Sequence, residues 1–144
     1  MSNMVEVKTA ELIGPALDWA VAKSIGLTIF AMGDNWPGNY AATITAAERP
    51  IVILCLIGRL WREHQGVTVP WTPSTDWAQG GPLIDKYRIW LSGPIFNRKD
   101  YSAAVDTGTD ESRGTTALIA LCRALVTAKL GDVVQVPADL VVEV

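Results

Sequence analysis

One fourteen-residue segment constrains the fold more than any other part of the chain. From Trp71 to Ile84 the sequence reads Trp-Thr-Pro-Ser-Thr-Asp-Trp-Ala-Gln-Gly-Gly-Pro-Leu-Ile. Prolines withhold amide donors and glycines accept positive φ, so this composition argues against a regular helix or strand. The small polar side chains can bond to nearby backbone amides and hold a turn in place. We therefore predict an ordered loop, and the segment is the best candidate for a binding surface.

The candidate ligand- or partner-binding residues come from this segment and from one basic residue near the C-terminus. We expect Trp77 to pack against the C-terminal helix and part of Trp71 to be accessible. The Gly-Gly amides could form a small anion-binding nest, or the pair could be a purely structural turn. The full candidate set is Trp71, Ser74, Thr75, Asp76, Trp77, Gln79, Gly80, Gly81 and Arg123.

Length and charge place the chain in a broad class. Its 144 residues favour a single domain over residues 1–144, and 12 Lys plus Arg against 15 Asp plus Glu give no positive field for nucleic acid. The start of the chain lacks the pattern of an export signal, and the longest apolar run, Ile51 to Ile57, is far shorter than a membrane span. We expect a soluble protein of the bacterial cytoplasm, without a membrane or nucleic-acid partner.

The periodicity of apolar residues predicts an α+β fold, with two principal helices packed on a small, mostly antiparallel sheet and long ordered loops. An insert-like segment spans about 33–66. Within it, residues 50–62 fit a buried strand or a helix, and we favour a helix ending by Gly66. A mobile loop is predicted at about 106–114. The predicted helices are Gly14–Ser24 and a second one from a Thr115 or Thr116 cap to Leu130, and the predicted strands are Val5–Lys8, Leu27–Met32, a strand or hairpin over Leu83–Ile84 and Tyr87–Leu91, Tyr101–Val105 and Val133–Val136.

Few residues could carry catalysis or bind a metal. His64 is the single histidine, and its charged neighbours indicate a solvated helix end. Cys55 and Cys122 lie among aliphatic residues, which favours buried free thiols. These three residues are too few and too scattered for a zinc site. We predict neither a metal nor a cofactor.

The C-terminal helix is apolar on more than one side. A stripe of alanines that includes Ala120 and Ala124 could receive another backbone at close range, and Trp19 lies off the apolar face of the first helix. These three residues are our candidates for a homo-oligomer interface. The alternative is that the two helices pack together within one chain.

Three blocks of sequence, in this order, resemble the NinX-like family of phage and prophage proteins. They run from Val7 to Lys23, from Ser74 to Pro82 and from Ala117 to Asp132. The first and third blocks contain the two predicted helices, and the middle block is the specific motif Ser-Thr-Asp-Trp-Ala-Gln-Gly-Gly-Pro. The resemblance implies a phage or prophage origin and an intracellular protein, and it supplies no reaction. The chain departs from the family pattern by a longer segment at roughly 33–66.

Three functions fit these observations. The first is a non-enzymatic accessory protein that binds an unknown protein or a small ligand through the Trp71–Pro82 loop. The second is an enzyme that handles a polar or phosphorylated small molecule with Asp76, with Ser74 or Thr75, and with Arg123. The third is a structural homo-oligomer subunit. The sequence does not identify the ligand, and convergence of the candidate residues on one pocket would favour the enzyme.

Overall fold

The computed structural model describes residues 4–31, 51–56, 59–64, 67–94, 99–106 and 111–141. The described chain has an α+β fold, as predicted, with two long helices, two short ones and nine strands. In chain order the elements are β1 (Met4–Lys8), α1 (Gly14–Ser24), β2 (Thr28–Ala31), β3 (Val52–Leu56), β4 (Arg59–His64), β5 (Val67–Pro70), α2 (Trp77–Gly80), α3 (Pro82–Tyr87), β6 (Ile89–Ser92), β7 (Tyr101–Val105), β8 (Ser112–Gly114), α4 (Ala117–Leu130) and β9 (Val133–Pro137).

The described strands form three small sheets where the sequence predicted one. The order is β1-β9 in the first, β2-β3-β4-β5 in the second and β6-β7-β8 in the third. All described pairings are antiparallel except β2 with β3. The pairing of β1 with β9 joins the two ends of the described chain, with Val5 opposite Val136.

The two long helices, α1 and α4, form the centre of the core. Helix α4 packs against α1 and also against β6, β7 and β8, so its apolar residues are buried on more than one side. The Thr116 hydroxyl caps α4 by accepting the Ile119 amide at 3.1 Å. The helix ends at Gly131, whose φ of +97° suits a residue without a side chain. Both predicted helices are confirmed with their bounds.

The three interface candidates lie inside the protomer. Trp19 is 7 % exposed, Ala120 is fully buried and Ala124 is 2 % exposed. Helices α1 and α4 contact each other within one chain, as in the intramolecular alternative, and α4 also contacts β6, β7 and β8. These side chains are therefore not at a surface that a second copy could reach, and self-association would need another surface.

Residues 50–62 do not form the predicted helix. Their described part is β3 and the first residues of β4, and β3 has neighbours on both sides, β2 and β4. A strand paired on both edges and buried tolerates a continuous apolar run, and a run this short has no period that separates a strand from a helix. His64 consequently lies at the end of a strand rather than of a helix.

Two further segments differ from their predictions. Leu83, Ile84 and Tyr87 belong to α3, which begins at Pro82, and the following strand β6 begins only at Ile89. Proline suits the first turn of a helix, which is where Pro82 lies. Ser112–Gly114 is strand β8, at the end of the stretch predicted as a mobile loop, while 107–110 lie outside the described residues, as does all of 33–50. Cys55 and Cys122 are buried and form no disulfide, as predicted.

No helix in the described ranges is both long and apolar enough to cross a membrane.

Candidate functional site

The Trp71–Pro82 segment is held by bonds between its own side chains and backbone. Its second half is not an irregular loop but the short helix α2, which Asp76 caps by accepting the Ala78 amide at 3.0 Å. The Gln79 side chain closes the turn at both ends: Oε1 accepts the Thr72 amide at 2.7 Å and Nε2 donates to the Pro70 carbonyl at 2.6 Å. Asp76 and Gln79, both binding candidates, therefore have structural roles.

The Gly-Gly pair also has a structural role. A Cβ on Gly80 would lie 2.3 Å from the Pro73 carbonyl oxygen and 2.7 Å from a methyl carbon of Leu118, so glycine alone fits where the segment meets α4. The amides of Gly80 and Gly81 donate to the carbonyls of Asp76 and Trp77. Because both amides have partners, the pair is a structural turn rather than the anion-binding nest considered above.

The segment is tied to α1 through one residue, Asp18. The Ser74 amide donates to Asp18 Oδ1 at 2.8 Å, and Trp71 Nε1 donates to the Asp18 backbone carbonyl at 2.9 Å. All three residues are buried: Asp18 is 3 % exposed, Ser74 1 % and Trp71 6 %. The Trp71 amide also donates to the Leu60 carbonyl in β4. Trp71 is thus a core residue, contrary to the prediction that part of it would be accessible.

Burial dominates the electrostatics of Asp18. Loss of water raises the pKa of its carboxyl from 3.8 to about 6, against the smaller lowering effect of the Ser74 hydroxyl and amide. The Ser74 hydroxyl is near enough to lower this pKa, but among the described residues it is the Ser74 amide that forms a well-aligned hydrogen bond with the carboxylate. Burial, and then the negative charge of Asp18, raise the pKa of the Cys122 thiol in α4. At neutral pH the carboxylate is ionised within an apolar surround.

Asp18 also lines a cavity of about 260 Å³, which we call the Asp18 cavity. Its walls come from α1, from β4 and from the chain where β5 joins the Trp71–Pro82 segment. The aromatic rings at its walls belong to Trp61 and Trp71, and Arg59 is an exposed cation at the same cavity. The lining residues are Pro15, Asp18, Arg59, Leu60, Trp61, Pro70, Trp71 and Thr72.

Arg123 lies at a different and larger cavity, of about 570 Å³, beside β1, β8 and α4. Its Nε donates to the Leu12 carbonyl at 2.9 Å and its Nη1 to the Arg113 carbonyl at 2.8 Å. Burial lowers the pKa of this guanidinium. The described lining of the larger cavity does not include Ser74, Thr75 or Asp76, so the arrangement expected of the enzyme hypothesis is not formed.

The remaining candidates divide between core and surface. Trp77 is 53 % exposed, which makes the prediction that it packs against the C-terminal helix wrong. Trp77 is the first residue of α2, and more than half of its surface remains open to solvent. Thr75 is also exposed, whereas Ser74 is buried.

Sequence reasoning missed Asp18, Arg59 and Trp61. The available signal was Asp18 itself, an acidic residue within an apolar stretch of α1. Its neighbours Leu17, Trp19 and Ala20 are apolar and buried. Arg59 and Trp61 were missed because their strand was interpreted as a helix. In the described ranges no group of three or more histidine, cysteine, aspartate or glutamate residues could hold a metal ion.

The two tryptophans of the segment should differ in their effect on stability. Trp71→Ala removes a buried ring and the bond to Asp18, and should lower the free energy of unfolding by about 3–5 kcal/mol. Trp77→Ala, at a half-exposed ring, should lower it by less than about 1 kcal/mol. Urea denaturation of both variants measures the difference. Equal losses would show that the structure misplaces one of the rings.

The Asp18 carboxyl should make stability depend on pH. Because its pKa is higher in the folded chain than in the unfolded chain, it favours folding below pH 3.8, and this contribution is lost as pH rises through about 6. Asp18→Asn keeps an oxygen for the Ser74 amide and does not ionise. Its stability relative to the unmodified chain should therefore increase by about 2 kcal/mol between pH 4 and pH 7.5. Urea denaturation at both pH values tests this, and a pH-independent difference would contradict it.

Comparison with known proteins agrees with the resemblance in the sequence. The family model described as Bacteriophage P22, NinX matches residues 8–129, well over half of the chain. The match includes α1, the Trp71–Pro82 segment and nearly all of α4. A search of curated proteins finds no match. On the extent of the family match, the chain belongs to the bacteriophage P22 NinX family.

Proposed function

We propose that this phage-family protein is a non-enzymatic domain that binds a small ligand in the Asp18 cavity. The observation that carries the proposal is Asp18, a buried carboxylate at the wall of a cavity. Its one hydrogen bond among the described residues comes from the Ser74 amide. Burying an ionised carboxylate without a cation is unfavourable, and such groups cluster at functional sites.

The surroundings of the Asp18 cavity support binding more than catalysis. At about 260 Å³ the cavity lies just below the roughly 300–1,000 Å³ of sites for drug-sized molecules, so it suits a smaller ligand. The described lining holds no serine, cysteine or histidine that could act as a nucleophile or pair with Asp18 as a base. The proposal keeps the Trp71–Pro82 segment as part of the site, but through Trp71 and Thr72 at its start.

The larger cavity is a weaker candidate. The guanidinium of Arg123 already donates to two backbone carbonyls there, and the Thr9 hydroxyl donates to the Gly131 carbonyl at 2.6 Å. Its charged lining is balanced, with three basic residues and three acidic ones, Lys8, Arg113, Arg123, Asp100, Glu111 and Asp132. The buried polar groups at its wall are therefore satisfied without a ligand.

A second candidate function is contact with a protein partner through Trp77. Half-exposed tryptophans are common anchors in protein interfaces, and Asp76 holds the helix turn that presents this ring. The two functions use different residues of one segment, so they can be tested separately.

The test of the main proposal is a screen of small fragments followed by the indole N–H signals in NMR spectra. We expect some fragments to produce saturable shifts of the Trp61 and Trp71 signals, because both rings line the Asp18 cavity. Thr72→Phe should abolish these shifts by filling the cavity. The matched control, Thr75→Phe, changes an exposed position of the same segment and should preserve them.

The result that would contradict the proposal is equally specific. Shifts that persist in a folded Thr72→Phe variant would place the ligand elsewhere, as would saturable shifts confined to Trp77. A screen without any saturable shift at Trp61 or Trp71 would remove the proposal.

A further inference from the structure

The charge of Asp18 has no counter-ion in the described structure. The carboxylate is 3 % exposed, it accepts the Ser74 amide at Oδ1, and no described lysine or arginine forms an ion pair with it. Arg59 lines the same cavity but lies beyond ion-pair distance from Asp18. A buried anion of this kind is stabilised by a cation that enters its cavity. A ligand of the Asp18 cavity should therefore carry positive charge at its inner end.

The walls of the cavity indicate what kind of cation this is. Trp61 and Trp71 supply indole rings, the aromatic partners that attract cations most strongly, and Pro15 and Pro70 add apolar surface. A primary ammonium brings three N–H donors that all need acceptors. Trp71 Nε1 is a donor already bonded to a backbone carbonyl, and the side-chain acceptors in the described lining are Asp18 and the Thr72 hydroxyl, fewer than an ammonium needs. A methylated ammonium, which carries no such donors, fits these walls better.

Arg59 adds a second pole to the site. It is exposed, whereas Asp18 is buried, so the positive side chain and the negative one lie at different depths of the same cavity. A ligand with positive charge alone would meet repulsion from Arg59. An anionic group at the outer end of the ligand would instead pair with that guanidinium, which presents several donors to a carboxylate.

We infer that the Asp18 cavity binds a small zwitterion, with a methylated ammonium group against Asp18, Trp61 and Trp71 and a carboxylate towards Arg59. The inference rests on the proposed function and specifies its ligand class. A cavity of about 260 Å³ accommodates a molecule of the size of N,N,N-trimethylglycine.

The experiment measures dissociation constants for four probes by titration of the Trp61 and Trp71 indole signals. N,N,N-trimethylglycine carries both charges. In 3,3-dimethylbutyrate a carbon replaces the nitrogen, so the shape and the carboxylate remain but the cation is lost. Choline keeps the cation and lacks the carboxylate, and 3,3-dimethylbutanol lacks both charges. We expect N,N,N-trimethylglycine to bind at least about tenfold more tightly than 3,3-dimethylbutyrate, since each tenfold corresponds to a modest charge interaction.

Two variants test the contributions of the Asp18 carboxylate and the Arg59 guanidinium separately. Asp18→Asn should weaken N,N,N-trimethylglycine at least about tenfold and leave 3,3-dimethylbutanol unchanged, because only the cation depends on the carboxylate. Arg59→Gln, at an exposed position, should weaken N,N,N-trimethylglycine but not choline. If Asp18→Asn fails to fold, the comparison of N,N,N-trimethylglycine with 3,3-dimethylbutyrate in the unmodified chain still decides the cationic pole.

The outcomes distinguish this inference from the proposed function. Equal binding of N,N,N-trimethylglycine and 3,3-dimethylbutyrate, or no binding of either while uncharged fragments still shift Trp61 and Trp71, overturns the inference and leaves the proposed function standing. Tighter binding of choline than of N,N,N-trimethylglycine overturns the zwitterion. If none of the four probes and none of the fragments binds, both the inference and the proposed function are overturned.

Discussion

The hydrogen bond from the Ser74 amide to the Asp18 carboxylate is the interaction on which the described site depends. It joins α1 to a segment that lies more than fifty positions further along the chain. Among the described residues, no other side chain of α1 accepts a hydrogen bond from that segment. The neighbouring bond from Trp71 Nε1 uses the Asp18 backbone, so both contacts meet at one residue. Placing an acid there is costly because the carboxyl loses its water. The structure tolerates that cost at the wall of a cavity.

The Trp71–Pro82 segment supplies the rigidity that this contact requires. Asp76, Gln79 and Gly80 each satisfy or accommodate backbone groups within the segment, and Gly80 allows it to approach α4. A loop fixed in this way holds Trp71 and Thr72 at the Asp18 cavity. Asp76, Gln79 and Gly80, which the sequence indicated as binding candidates, therefore act mainly by positioning the preceding residues Trp71 and Thr72.

The sequence predicted the parts of the fold that local patterns determine. Helices α1 and α4 have long apolar faces and recognisable ends, and β9 follows a run rich in β-branched residues. The strands β3 and β4 could not be predicted in this way, because their apolar run fits two structures and only pairing with distant strands selects one. The exposure of Trp77 and burial of Trp71 also depend on tertiary packing, since both occupy similar sequence surroundings.

The site was harder to predict than the fold for a related reason. Asp18, Arg59 and Trp61 come from α1 and β4, and no spacing in the sequence links them to one another or to Trp71. The most direct test of the account is a titration of the Asp18 side-chain carboxyl carbon by NMR in the folded protein without ligand. The account predicts a midpoint near 6, and Ser74→Ala, which removes the hydroxyl and retains the amide donor, should raise it. A midpoint near the ordinary value of 3.8 would show that the carboxylate is hydrated, and would contradict the buried contact at the centre of this structure.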